Sequence, residues 1–275
     1  MDFSLFTRAA LVCALLAAGP ASAELMLHPT RLVFEKNQRA AQVELINNGS
    51  ERTTYRISLV NRRMTESGEF VAADTAAAGE LFAAPMLNYA PRQITLEPGG
   101  AQTVRVMLRK PADLAEGEYR SHLQFDMVPE AAGGASIEQQ QPGAPGSIGI
   151  NLKALVGAAM PVIVRHGEGG ASVVLSALAL AADGAPLLSL CFERSGAHSV
   201  YGDISVGFSA RGGSEIALAK VGGVAVYSPN RSRSAKVPLQ LPPGVTLAHG
   251  VLKVSYRERP DAGGRELAHA ELVLP

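Results

Sequence analysis

The side chains able to do chemistry in this sequence are few and scattered. Six histidines, His28, His122, His166, His198, His249 and His269, stand singly, whereas metal ligands normally include at least one close pair. Each reads as a structural or solvated residue. A Gly-x-Ser-x-Gly elbow, His-Glu-x-x-His, Cys-x-x-Cys and Gly-x-x-x-x-Gly-Lys are all missing from the sequence, so it offers no hydrolase elbow, zinc-protease helix, thiol pair or phosphate loop. No spacing of Asp and Glu singles out a carboxylate pair for glycoside hydrolysis. Asn48-Gly49-Ser50 and Asn230-Arg231-Ser232 match the glycosylation sequon and read as turns. The expectation is a protein that is not an enzyme and that uses no metal and no cofactor.

Binding is the remaining kind of function, and composition narrows it. The 275 residues hold 25 basic and 25 acidic side chains, with 47% hydrophobic and 5% aromatic positions. A net charge of zero gives no long-range field for nucleic acid or an anionic membrane. The aromatics are too sparse for a base-stacking platform, and the aliphatic content is too high for a disordered chain. The length exceeds one ordinary domain of roughly 100–200 residues.

The first 23 residues read as an export signal: Arg8, an apolar stretch from Ala9 to Ala18, Gly19-Pro20, then Ala21-Ser22-Ala23 as a small-residue cleavage site. Val12 stands before Cys13 where a lipoprotein signal has a small residue, which argues against a lipid anchor. No later segment offers about 20 uninterrupted apolar residues, so the mature chain is expected not to insert in a membrane. Cleavage removes Cys13 and leaves Cys191 alone, which rules out an internal disulfide in an oxidising compartment. Within Leu187-Leu188-Ser189-Leu190-Cys191-Phe192, that thiol reads as a small buried or half-buried strand residue.

The elements that would position any site are strands. Gln42-Val43-Glu44-Leu45-Ile46 and Thr54 to Val60 alternate on either side of Asn47-Asn48-Gly49-Ser50, a hairpin signal. Alternation recurs in Gln93 to Leu96, Thr103 to Leu108 and Tyr119 to Phe125, with Glu97-Pro98-Gly99-Gly100 as a turn. After Pro129 comes a low-complexity loop rich in Gln, Gly and Pro, and then a long apolar run from Ile148 to Val164. Arg165-His166-Gly167-Glu168-Gly169-Gly170 marks a domain boundary. Strands resume at Val173 to Leu180, Leu187 to Phe192, Gly202 to Phe208, Gly223 to Tyr227, Ser234 to Leu239, Val251 to Tyr256 and Leu267 to Leu274. The fold expected is all-β, with two sandwiches over 24–165 and 166–275.

The long apolar run is the informative stretch. Ile148, Ile150, Leu152, Ala154 and Val156 share one face, with Gly149, Asn151, Lys153, Leu155 and Gly157 on the other. Such a ridge either fills the core of its own sandwich or is lent to a partner, and periodicity alone does not choose between these.

Several of these residues resemble the PapD-like chaperones of the chaperone-usher pathway. Pro29-Thr30-Arg31-Leu32-Val33-Phe34 is similar to that family's first strand. Pro91 to Val106 is similar to its strand, Pro-Gly turn and alternating "Gln-x-Val-Arg" run, and Gly117-Glu118-Tyr119-Arg120-Ser121-His122-Leu123 to its "Gly-x-Tyr-x-Ser-x-Leu" strand. The run into Pro161-Val162-Ile163-Val164-Arg165 occupies the place of the motif that closes the first domain. The resemblance covers nearly all of the first domain; in the second it extends only to architecture and the Asp261-Ala262-Gly263-Gly264 turn.

The resemblance implies two immunoglobulin-like sandwiches in a boomerang arrangement, located in the periplasm and acting without ATP. Its partners would be pilus or fimbrial subunits lacking their last strand, and an outer-membrane usher. Residues 148–156 would be the donor strand, preceded by a flexible loop at 130–147, and would complete the subunit by β-strand addition. Four sizeable aliphatic side chains at roughly 1.5–3 kcal/mol each give a gross driving force of about ten kcal/mol before association costs. Arg31 matches the family's first basic anchor for the subunit's C-terminal carboxylate. The second anchor departs from the family: counting back from Arg165, its place is held by Pro161, and the nearest lysine, Lys153, faces away from the ridge. Arg165 matches a position that pairs with an acidic residue of the second domain, for which Asp261 is the candidate. Whether the free chain self-associates to cover the ridge is left open by the sequence. The alternative reading is an exported β-sandwich subunit of a pilus or adhesin. Such subunits usually show an alternating N-terminal extension and a cysteine pair, and neither is present here.

Overall fold

The structure, a computed structural model, describes residues 25–129, 157–181, 184–211 and 213–275. The expected loop at 130–147 and the ridge at 148–156 lie outside these described residues. The first sandwich is built from β1 (Leu25–His28), β2 (Leu32–Phe34), β3 (Ala40–Asn47), β4 (Thr53–Val60), β7 (Leu87–Ala90), β8 (Gln93–Leu96), β9 (Ala101–Leu108), β10 (Gly117–Val128) and β11 (Ala158–His166). One sheet runs β1-β3-β9-β7 and the other β2-β11-β10-β4-β8. The period of two sets which face is buried: on β9, Val104, Val106 and Leu108 are buried, and Thr103, Arg105 and Met107 are exposed. From the facing sheet, Tyr55, Ile57, Leu123, Phe125, Val162 and Val164 complete that core.

The second sandwich pairs a sheet of β12 (Ala171–Ala181), β13 (Leu187–Gly196) and β16 (Ser232–Pro238) with one of β15 (Glu215–Val226), β14 (Val200–Ala210), β17 (Gly250–Arg257) and β18 (Glu266–Val273). Its core holds Leu188, Leu190, Phe192, Ile204, Phe208, Leu252 and Tyr256. All seven strands expected beyond Gly170 are present, and the all-β architecture is as the sequence predicts. Cys191 is a free, half-buried thiol on β13.

The Asn48-Gly49 turn is not a hairpin. β3 and β4 belong to different sheets, and the chain crosses the sandwich between them. The cause is Asn47, fully buried at the end of β3. Its side-chain amide donates to Glu51 O at 2.7 Å and Leu96 O at 3.2 Å, and its side-chain oxygen accepts from Gly49 N at 2.9 Å. Its backbone bonds Gly99 and Gly100 in the neighbouring crossover from β8 to β9. One Asx turn therefore fastens two crossovers, which overrides the two-residue hairpin that Asn-Gly would otherwise favour.

A small hairpin, β5 (Arg62–Met64) with β6 (Phe70–Ala72), leaves the first sandwich and docks on the second. Met64 is buried in the second core. Glu66 O accepts from Ser234 N at 2.7 Å, and Asn230 Nδ2 donates to Met64 O at 2.8 Å. At its tip Gly68 has φ 86°, and the Arg233 guanidinium occupies the space a Cβ would need, so the turn requires glycine.

Candidate functional site: the cleft between the sandwiches

The outer face of the sheet β2-β11-β10 is turned toward the second sandwich. It is the odd-numbered row on β2 and β11 and the even-numbered row on β10. Val33 and Ile163 pack against the second core, while Leu32, Phe34, Val162 and Val164 belong to the first. Glu118, Arg120 and His122 on β10 are all buried. This row was not anticipated, because polar residues at every second position of a strand ordinarily mark a solvent face. Here a second domain covers that face.

Register sets Glu118 opposite Arg165 across β10 and β11. Arg165 Nε lies 3.1 Å from Glu118 Oε2, and its Nη1 lies 2.6 Å from Glu35 Oε1. The same Glu118 oxygen accepts from Ser199 N of the second sandwich at 3.0 Å, and Arg165 Nη2 donates to Ser199 O at 3.4 Å. The structure therefore places Arg165 with Glu35 and Glu118 rather than with Asp261, whose carboxylate lies 3.6 Å from Arg259 Nε. The reason is local: two carboxylates of the first sandwich, one directly cross-strand, already surround the guanidinium. Its tie to the second domain is to the backbone of Ser199.

Arg120 continues the row. Its guanidinium lies 4.4 Å over the Tyr227 ring and donates to Ser228 O and Arg62 O, each at 3.3 Å. Burial pulls its pKa down, while Tyr227, Glu118 and Glu80 oppose that shift. His122 is 2% exposed. It sits against the Phe70 ring at 5.2 Å, and neither ring nitrogen has a hydrogen-bond partner among the described residues. Burial first, then Arg120 and Arg62, push its pKa down to about 3.

This makes His122 a pH-dependent element of stability. Its folded pKa lies below the unfolded value, so the stabilising contribution of the neutral ring is complete above about pH 6.5. It declines as pH falls toward the folded pKa, by at most about 1.4 kcal/mol per pH unit. Urea unfolding at about pH 7 and pH 4.5 should show a loss of roughly 2 kcal/mol from this group. A His122→Leu chain that loses as much stability over the same interval would contradict the assignment.

Above this row lies a cleft of about 530 Å³ whose lining includes Arg31, Glu35, Tyr201, Arg259, Asp261 and Arg265. Arg31 stands where the first strand switches sheets between β1 and β2, which delivers it to the domain boundary. Its guanidinium carbon sits 4.3 Å from the Tyr201 ring centroid. No carboxylate pairs with it among the described residues, and its Nε is shielded from solvent without a hydrogen-bond partner. Of the expected site residues, the structure thus brings Arg31, Arg165 and Asp261 to one cleft.

Pro161 lies within β11 opposite His122. β2 pairs only with Val162–Val164, so from Ala158 to Pro161 the other edge of β11 is unpaired among the described residues. Proline is tolerated at such an edge, since it has no amide hydrogen to donate. Met160, Val162 and Val164 turn into the first core.

The family model of the PapD N-terminal domain, described as pili and flagellar-assembly chaperone, matches residues 24–153. Among solved structures, the YadV chaperone is similar at 13% identity and TM-score 0.46, covering 92% of this chain and 100% of that one. The CsuC-CsuE chaperone-tip adhesion subunit pre-assembly complex from archaic chaperone-usher Csu pili of Acinetobacter baumannii gives 13% and 0.46, with coverages of 90% and 98%. The CupB2 chaperone of Pseudomonas aeruginosa gives 12% and 0.43, with coverages of 91% and 100%. No curated protein matches the chain.

Proposed function

We propose that this protein is a non-catalytic periplasmic chaperone that holds pilus or fimbrial subunits by donor-strand complementation and delivers them to an outer-membrane usher. In this reading 24–165 is the chaperone domain, 130–147 its loop and 148–156 the donor strand, with 166–275 as the second sandwich. The observation that carries it is the edge of β11 from Ala158 to Pro161, which no strand pairs among the described residues and which follows directly on the donor segment in sequence. Ile148, Ile150, Leu152, Ala154 and Val156 have the parity of Met160, Val162 and Val164, so a strand continued in that register turns its ridge to the apolar side. A subunit strand pairing along that edge gains main-chain hydrogen bonds, and alternate side chains fill its groove.

Arg31 anchors the subunit's C-terminal carboxylate in the cleft. It is a cation without a carboxylate partner among the described residues, stacked on Tyr201 and so held in one orientation. A charge-assisted hydrogen bond contributes about 1.5–3 kcal/mol, which sets the expected effect of removing it. Co-expression in the periplasm with each neighbouring secreted β-rich protein, and purification through a tag on this chain, should yield a one-to-one complex with one of them. Arg31→Ala should reduce its recovery by about tenfold or more while circular dichroism and melting stay close to wild type. Undiminished recovery with Arg31→Ala would remove the anchor, and failure of the wild type to bring down any subunit would remove the chaperone reading.

A further inference from the structure

We infer that the second cation of the carboxylate site is supplied by the second sandwich: Arg259, placed beside Arg31 by Tyr201, grips the other side of a subunit's C-terminal carboxylate. The inference rests on the reading of this cleft as the place where that terminus is held. On β11 the position where the resemblance calls for lysine is Pro161, which brings no charge, so a two-cation site needs its partner from elsewhere.

The cations of the cleft differ in how far they are already engaged. Arg165 is held by Glu35 and Glu118. Arg265 is held by Glu258 at 2.9 Å. Arg31 has no carboxylate among the described residues, and Arg259 has only Asp261, 3.6 Å from its Nε. That separation is too long for a hydrogen bond, and Asp261 is a largely exposed, screened partner. The Nε atoms of Arg31 and Arg259 are both shielded from solvent and without hydrogen-bond partners among the described residues.

Tyr201 joins the two. Arg31 lies on the face of its ring at 4.3 Å, and Arg259 Nη1 donates to its hydroxyl at 3.5 Å. One aromatic side chain on β14 therefore fixes two guanidinium forks, each with donors to spare, at a single place in the cleft. A carboxylate has two oxygens and about four acceptor directions, which two such forks can fill. A single fork leaves half of them to water. The ligand so defined is a planar monoanion at a chain end, clasped between residues of both domains.

The test is a cycle on the purified chaperone-subunit complex, read as the rate at which bound subunit exchanges onto differently tagged chaperone. Arg259→Ala should speed release about ten- to a hundredfold, Arg259→Lys should fall between, and circular dichroism should report an intact fold for both. Extending the subunit by two glycines, which withdraws its carboxylate from both guanidinium groups, should speed release from the wild type by more than Arg259→Ala does, and by a smaller factor in Arg259→Ala, where only the Arg31 contact remains to be lost. An Arg259→Ala chain that releases subunit at the wild-type rate while Arg31→Ala releases it fast would overturn the inference and leave the Arg31 anchor standing. Equal acceleration by the extension in both backgrounds, or acceleration only on neutralising an acidic side chain of the subunit, would also overturn it. If neither Arg31→Ala nor the extension changes release, the carboxylate reading of the cleft fails and this inference goes with it.

Discussion

Chains carrying Ile150→Asp and Leu152→Asp should remain folded and capture no subunit. Each replaced side chain forfeits about 1.5–3 kcal/mol of burial in the partner's groove. Each new carboxylate adds a desolvation cost, and the pair together exceeds what a moderate complex can lose. Co-purification reads the loss, and far-ultraviolet circular dichroism with a denaturant titration reads the fold. The opposite result, a double variant that unfolds, would mean that the ridge fills the core of its own sandwich. The parity these residues share with Met160 and Val162 makes that rival reading concrete, so the fold measurement decides between the two.

Removing Glu118 should produce the largest loss of stability among single substitutions in the cleft. Its side chain is 1% exposed and serves two partners at once, Arg165 at 3.1 Å and the Ser199 amide at 3.0 Å. Glu118→Ala strands that amide and withdraws the buried half of an ion pair, a class of change that costs about 3–5 kcal/mol. The lower end is expected because Arg165 keeps Glu35 at 2.6 Å. Glu35 itself is half exposed, and Glu35→Ala should change little. Guanidinium titrations of the two variants check the contrast. Equal, small shifts for both would show that the domains are not held together through this strand.

The strands were legible because burial on one face leaves a period of two, as on β9, where every second residue from Val104 is apolar. The same rule misreads β10, whose Glu118, Arg120 and His122 look like a wet face until a second domain is laid over them. Asn48-Gly49 carried a true turn signal but the wrong connection, since the side chain of Asn47 and not the dipeptide determines where the chain goes next. The hairpin of Arg62–Met64 and Phe70–Ala72 has strands too short to show any period. Arg31 could be singled out only through a resemblance. Tyr201 and Arg259 could not be singled out at all, because the second sandwich brings them to Arg31 from distant positions and no local pattern marks them.

Arg120 also bears on the order in which the molecule is made. Its carbonyl partner Ser228 stands 108 residues further along the chain. A first sandwich that forms before the second is available would have its apolar face complete and its charged strand still bare. Such an intermediate keeps Arg120 hydrated until the second sandwich arrives to desolvate it, so final closure of the interface waits for nearly the whole polypeptide to be made.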